Sequence, residues 1–409
     1  MFNFCRPGAS IQLICNANSA HKDRTSHFDG FTVKSDAAIP APSVLGTIQK
    51  SVPSLCEKTF RFKPSFAVAN ADVQTIFSHL GQIDNPMCYD RRFIPADNGG
   101  TLALDFASTP WLKSSAPIAI IIPGLLGCSQ DAYVNSAARE LSRLKDGSVR
   151  GYRVVVMNPR GTPGNPLTSP HLTHAGSTDD MRTVVSYIRK NYPDSKGLFA
   201  LGFSMGGGLL SNYMAEEGAT CPLDAGFCIS TVWDFLSCHE RMEEEHFFRR
   251  ICYSYSCGTR LTSVVREHEK LFRDANSKGL DQLLSQRRVC MSMFNNTFMS
   301  YLAGYPNTPA FSAGTSPLYR VGNIRRPCVL LNARDDPFYG GWYMADVERA
   351  VRDGGHENLV LAITEKGGHV GWIQKTKDGR WEQWFMHPVR EFFDAISEAA
   401  KSDSDTKNS

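Results

Sequence analysis

Five residues, Gly202-Phe203-Ser204-Met205-Gly206, separate a short apolar run, Leu198–Leu201, from the segment Gly207 to Tyr213. The run has the composition of a buried strand and the segment that of a helix start, so the pentapeptide reverses the chain in very few residues. Bulky side chains two positions either side of the serine would collide in such a turn, which accounts for Gly202 and Gly206. Ser204 is then expected at the apex in a strained backbone conformation. A glycine-rich turn that merely packs a helix close to a strand is the competing explanation. The order of strand, turn and helix favours a nucleophile.

The flanking sequence supplies a sheet for that turn. Pro117 to Ile122 (PIAIII) and Arg153 to Met157 (RVVVM) are continuous apolar, β-branched runs, as strands buried on both faces require. They close on Pro123-Gly124 and on the turn residues NPRGTPGNP. Leu198–Leu201, Phe227–Ile229, Val329–Leu331 and Leu359–Ile363 are further short core runs. Between them, Ser177 can cap a helix carrying Met181, Val184, Val185 and Ile188 at helical spacing. A last amphipathic helix begins near His387 and runs through Val389, Phe392, Phe393 and Ile396. Strands alternating with helices predict a mostly parallel sheet flanked by helices. The alternation breaks once, at about residues 231–326, a connection far beyond the usual roughly 2–6 residues. Its helical patterning predicts an inserted, mainly helical cap over the strand ends. Residues 1–58, rich in Ser, Ala, Pro and Thr, read as a partly disordered extension, 59–400 as one catalytic domain, and 401–409 as a disordered tail.

A serine hydroxyl is a poor nucleophile until a base takes its proton. A serine on a turn of this kind resembles the nucleophile elbow of the α/β-hydrolase fold, in which the acid and then the histidine follow later in the chain. Leu330 to Phe338 (LLNARDDPF) ends a strand in a turn with two adjacent carboxylates. Asp335 continues the strand more directly, and Pro337 can fix the turn, so Asp335 is preferred as the acid and Asp336 is left to cap the turn or support the site. His369, in Gly367-Gly368-His369-Val370-Gly371 after the last core run, is the expected general base. The tetrahedral intermediate needs two donors for its oxyanion. The backbone N–H groups of Met205 and of Leu125, in Pro123-Gly124-Leu125-Leu126-Gly127, are placed to supply them.

The chain has 409 residues, which large α/β sheets with insertions reach as single domains. A net charge of +3 without a basic, aromatic-interleaved tract gives no reason to expect nucleic acid. Twelve scattered cysteines, with no CxxC pair and no Cys/His spacing of the zinc type, give no metal site and fit a reducing compartment. No apolar run approaches the roughly 18 residues of a membrane helix. The opening MFNFCRPGASIQLICNANSA is broken by Gln12, Asn16 and Asn18, so a signal peptide is not expected. An intracellular location, cytoplasmic or peripheral to a membrane, is favoured, with organelle targeting left open.

IIPGLLG, the NPRG turn, HAGSTDDMRTVVSYIRKNYP, GFSMGGGLLSNYM, LNARDDPF and GGHVGW resemble, in order and spacing, one branch of the α/β-hydrolase-domain proteins. That branch includes YheT-like hydrolases, plant embryogenesis-associated proteins, yeast medium-chain ester synthases and mammalian medium-chain phospholipases. FKPSFAVANADVQTIF and RRFIPADNGGTLALDF are similar to its entry segment, so the resemblance runs from about Phe62 to Ser397. It implies Ser204, Asp335 and His369 as the triad, and cleavage or transfer of acyl groups on medium-chain esters, glycerides or phospholipids. The membrane anchor of mammalian members does not carry over. In some relatives of the wider superfamily a histidine followed five residues later by aspartate is linked with acyl transfer to lysophosphatidic acid; five residues after His369 this chain has Gln374 instead.

The expected activity is hydrolysis of lipid-like carboxylic esters through an acyl-enzyme, with no metal and no organic cofactor. An acyltransferase with an alcohol acceptor shares the same intermediate and is the first rival. A non-catalytic binding protein on the same fold is the second. In the cap, Phe247, Phe248, Tyr253, Tyr255, Phe294, Phe298, Met299 and Tyr301 could line an acyl channel. Arg249, Arg250, Arg260 and Arg266 could meet a phosphate or the surface of a membrane.

Overall fold

A computed structural model describes residues 10–15, 26–28, 31–34, 43–57, 61–80, 86–143, 151–244, 247–354 and 357–407. Among these, eleven strands make one sheet: β1 (Ile11–Cys15), β2 (Ser26–Phe28), β3 (Phe31–Lys34), β4 (Tyr89–Pro95), β5 (Thr101–Ala107), β6 (Ile118–Ile122), β7 (Arg153–Asn158), β8 (Leu198–Phe203), β9 (Ala225–Ile229), β10 (Cys328–Ala333) and β11 (Leu359–Thr364). Their spatial order is β2-β3-β1-β11-β10-β9-β8-β6-β7-β5-β4. The six strands from β11 to β7 pair in parallel, while β1 joins β11, and β5 joins β7, in antiparallel fashion. The parallel strands are buried on both sides, as their unbroken apolar runs require. In β6, Ile118, Ile120 and Ile122 face one core, and Ala119 and Ile121 the other, by the two-residue period of a strand.

The antiparallel start of the domain turns on a glycine pair. β4 and β5 are joined at Ala96 to Gly100, where Gly99 and Gly100 take φ of 79° and 89°, values that cost a residue without a Cβ little. Arg160, from the NPRG turn after β7, ties this hairpin down. Its guanidinium makes a fully buried 2.6 Å ion pair with Asp180 and also donates to Asn98 and to the Gly99 carbonyl.

The amino-terminal region differs from its expected role as an extension. Ile11–Cys15 adds a strand to the sheet, with Ile11 opposite Thr364 and Cys15 opposite Val360. A helix at Val44–Ser51, capped by the Ser43 side chain, buries Val44, Leu45 and Ile48. Ser54 then hydrogen-bonds Glu391 of the last helix. Composition pointed the other way, but IQLIC and the Val44-Leu45-Ile48-Val52-Leu55 face carry enough apolar surface to pack. The last helix, Met386–Lys407, continues to Lys407, into the stretch from 401 expected to be a disordered tail.

Between β9 and β10 the chain forms the inserted cap, a series of helices from Phe235–Glu244 to Thr308–Thr315. Both of its roots are bonded to the sheet layer. Trp233 donates its indole N–H to Asn332 at the end of β10 (3.0 Å), and Leu318 N–H reaches the Trp233 carbonyl. Asn212, on the helix after β8, donates to the carbonyl of Thr315 (2.7 Å) and to that of Ala175 (2.9 Å). Among the described residues no helix is long and apolar enough to cross a membrane.

Candidate active site

Because the central strands are parallel, β6, β8, β10 and β11 all end at one edge, where loops from different strands converge. Ser204 follows β8 there with φ 52° and ψ −117°, the strained conformation expected of the apex. A Cβ on Gly202 would come within 2.5 Å of the Gly206 carbonyl oxygen, and one on Gly206 would run into the carbonyls of Ile122 and Pro123. The glycines are therefore steric requirements of the turn.

His369 Nε2 lies 2.8 Å from Ser204 Oγ, and its Nδ1 lies 2.8 Å from Asp336 Oδ2. A carboxylate only accepts, so the ring proton sits on Nδ1, and Nε2 presents its lone pair to the serine hydroxyl. The preference for Asp335 is corrected: the histidine's partner is Asp336. After β10 the chain curls, Asp336 N–H bonding the Ala333 carbonyl, and this turn carries Asp336 rather than Asp335 inward. Asp336 is fully buried, and its second oxygen accepts from the N–H groups of Phe338 and Tyr339. Asp335 accepts from the Gly368 N–H at 2.9 Å and stands 3.7 Å from Lys366, and burial raises its carboxyl above the ordinary range.

Several groups that hold the histidine were not anticipated. Thr75, on the helix Ala71–Leu80, accepts from the His369 backbone N–H through Oγ1 (2.9 Å). Ser230 Oγ accepts from the Val370 N–H (2.9 Å). Phe338 packs on the imidazole with ring centroids 4.3 Å apart. Thr75 lies almost three hundred residues before His369, and nothing in local pattern links the two; the signal for Ser230 was only its place at the end of β9.

Met205 opens the helix Met205–Glu217, whose N-terminal dipole favours negative charge at Ser204. The Gly124–Gly127 loop lies across from it, shaped by a Tyr133 hydroxyl that accepts from the Gly124 N–H and by Leu126 at φ 58°. Among the described residues neither the Leu125 nor the Met205 N–H has a protein acceptor. Both residues line one cavity with Ser204 and His369.

That cavity encloses about 480 Å³ between the sheet edge and the cap. Its wall is largely apolar, with Val232, Phe235, Met242, Phe294, Met299 and Phe311 among the contributors. Of the cap residues expected there, Phe294 and Met299 take part. Phe298 is in the cap's own core against Phe272, and Tyr253 bonds Asp72 and stacks on Phe338. Phe247 is 81% exposed, and the Phe248 side chain lies outside the described residues. Tyr255 and Tyr301 lie beneath Arg250 and Lys278. Of the cap arginines, Arg260 lines the cavity, while Arg249 pairs with Asp72, Arg250 with Glu243, and Arg266 with carbonyls of Leu284 and Gln286. Gln374 is in a hairpin with Trp381–Gln383, bonded to Lys63 and Glu382.

Residues 117–340 match a family described as the alpha/beta hydrolase fold. The phospholipase ABHD3 of Homo sapiens is 29% identical over 312 residues, covering 75% of this chain and 71% of its own. A monoacylglycerol lipase of Saccharomyces cerevisiae is 29% identical over 282 residues, 68% of this chain and 58% of its own. A medium-chain fatty acid ethyl ester synthase/esterase of the same yeast is 28% identical over 300 residues, 69% of this chain and 63% of its own.

Proposed function

The chain belongs to the alpha/beta hydrolase fold family, and on that premise we propose that it cleaves carboxylic esters of lipid-like substrates through an acyl-enzyme on Ser204. One observation carries the proposal: the unbroken run of contacts from Ser204 Oγ through His369 to Asp336, opening into an apolar cavity. His369 Nε2 takes the hydroxyl proton as Oγ bonds to the ester carbonyl carbon. The resulting oxyanion is held by the N–H groups of Leu125 and Met205. Collapse breaks the bond to the alcohol oxygen, which receives the proton from His369. A water molecule, deprotonated by the same nitrogen, then attacks the acyl carbon and releases the acid and Ser204. Asp336 keeps the proton on Nδ1 throughout and stabilises the imidazolium.

The cavity volume and lining favour a medium-length acyl chain on a glyceride, phospholipid or simple ester. Names of the relatives point the same way. An alcohol in place of water would make the protein an acyltransferase by the same steps, and one relative's name includes ester synthesis. Contact with a lipid surface through the cap belongs to the same proposal, supported by exposed Phe247 and Ile251.

The test is labelling with a fluorophosphonate, followed by turnover of an ester chain-length series with and without added ethanol. Ser204→Ala should abolish labelling and lower turnover by about a million-fold. Wild-type turnover in that variant would reject the assignment.

A further inference from the structure

His174 lies in the same cavity, on the loop between β7 and the helix Thr178–Asn191. Its Nδ1 accepts from the Gly176 N–H at 3.0 Å, so the ring proton belongs to Nε2. Burial holds its pKa at about 4, with the neighbouring His171 as a lesser cause, so the ring is neutral around pH 7. The position is rigid. Asn212, on the helix that Ser204 opens, clamps the Ala175 carbonyl, and the ring meets Phe311 edge-on at 5.6 Å. Among the described residues no acceptor is seen for the Nε2–H, and the ring is half-buried in a cavity wall that is largely apolar. A plain hydrocarbon laid over this group would strand a desolvated donor, whereas an oxygen there would satisfy it.

We propose that His174 is a specificity-determining residue whose Nε2–H donates to an oxygen the substrate carries in addition to its scissile ester. The oxygen can come from either half of the ester: a glycerol-type alcohol or an oxygenated acyl chain. Simple alkyl esters offer neither and bind more weakly.

The proposal rests on the esterase reading for its choice of ligands, and is tested by binding so that the two can fail separately. Ser204→Ala protein is titrated calorimetrically with two matched pairs: glyceryl against propyl decanoate, and ethyl hydroxydecanoate or oxodecanoate against ethyl decanoate. At least one oxygenated partner should bind about tenfold tighter than its plain counterpart. Adding His174→Asn, which keeps an acceptor for the Gly176 N–H but removes the Nε2 donor, should bring that ratio to within about twofold. His174→Gln, whose amide N–H reaches the same place, should retain most of it. The pair that responds identifies the half being read. Equal binding within both pairs, or a preference that survives His174→Asn, would overturn the proposal. Fluorophosphonate labelling of the wild type decides the esterase reading independently.

Discussion

Asp336 Oδ2 lies 2.8 Å from His369 Nδ1, while the adjacent Asp335 turns its carboxylate to the backbone of Gly368. Two neighbouring carboxylates therefore have separate tasks. One orients the ring and the other pins the loop that carries it. Asp336→Asn should leave the wrong tautomer at His369 and lower kcat by up to about ten-thousand-fold. Asp335→Asn keeps an acceptor for the Gly368 N–H and should cost less than about tenfold. Steady-state kinetics of the two variants checks the ranking.

Asp335 also predicts a pH dependence of stability. Burial raises its folded pKa above the unfolded value, so the folded state holds the proton more tightly. Its contribution is fully present below the unfolded carboxyl pKa and is lost as pH rises through the folded one. Asp335→Asn, with no charge to bury, should melt above wild type near neutral pH. The gap should shrink as pH falls through the carboxylate range. Thermal melts of both proteins from acid to neutral pH measure it.

Thr75 Oγ1 receives the His369 backbone N–H from the helix Ala71–Leu80, whose His79 also lines the cavity. Thr75→Val removes the acceptor, leaves a buried donor unpaired and frees the loop to shift. A displacement of about 1 Å at the base costs on the order of a hundredfold in kcat. Thr75→Ser should restore most of the rate, and neither change should move KM greatly. A matching loss in the serine variant would remove the hydroxyl from the explanation.

Met299 is a buried wall of the cavity and belongs to the cap. Met299→Ala should extend the space available to the acyl group and move the preferred ester to longer chains, by a factor of roughly 10–200 per discriminating methylene or less. Truncation should also cost about 2–5 kcal/mol of stability. The kcat/KM profile over acyl length, together with a denaturant melt, reports both.

Gln374 bonds Lys63 and Glu382 in a hairpin and has no carboxylate to offer a proton-transfer step. Purified protein given acyl-CoA and lysophosphatidic acid should form little or no phosphatidic acid while ester hydrolysis continues. Robust formation that survives Ser204→Ala would mean a second catalytic constellation.

The sheet and the turn at Ser204 were legible because local chemistry dictates them. Unbroken β-branched runs have few homes other than a parallel core, and Gly202 and Gly206 admit few backbones other than a tight elbow. His369 was legible from chain order and its glycines. Asp335 against Asp336 was not, because the choice rests on how tightly the chain curls after Ala333, a property of one backbone hydrogen bond. Thr75 and His174 act across long sequence separations and leave no periodic trace. The strand Ile11–Cys15 was hidden by polar neighbours, although four of its own five residues are apolar.

The bonds from Trp233 to Asn332 and from Asn212 to Thr315 bear on how the cap can move over the cavity. A lid that swings open does so about its two ends, and here both ends are fastened by buried hydrogen bonds. Wholesale opening would expose these partners together. Movement of the cap is then left to the middle of the insertion, where the helices carry two wide turns at Arg250–Tyr255 and Asn295–Met299. Hydrogen–deuterium exchange should accordingly show slow amides at Phe235, Ser316 and Leu318 and faster ones in the intervening helices, with the contrast reduced when Asn212 is replaced by alanine.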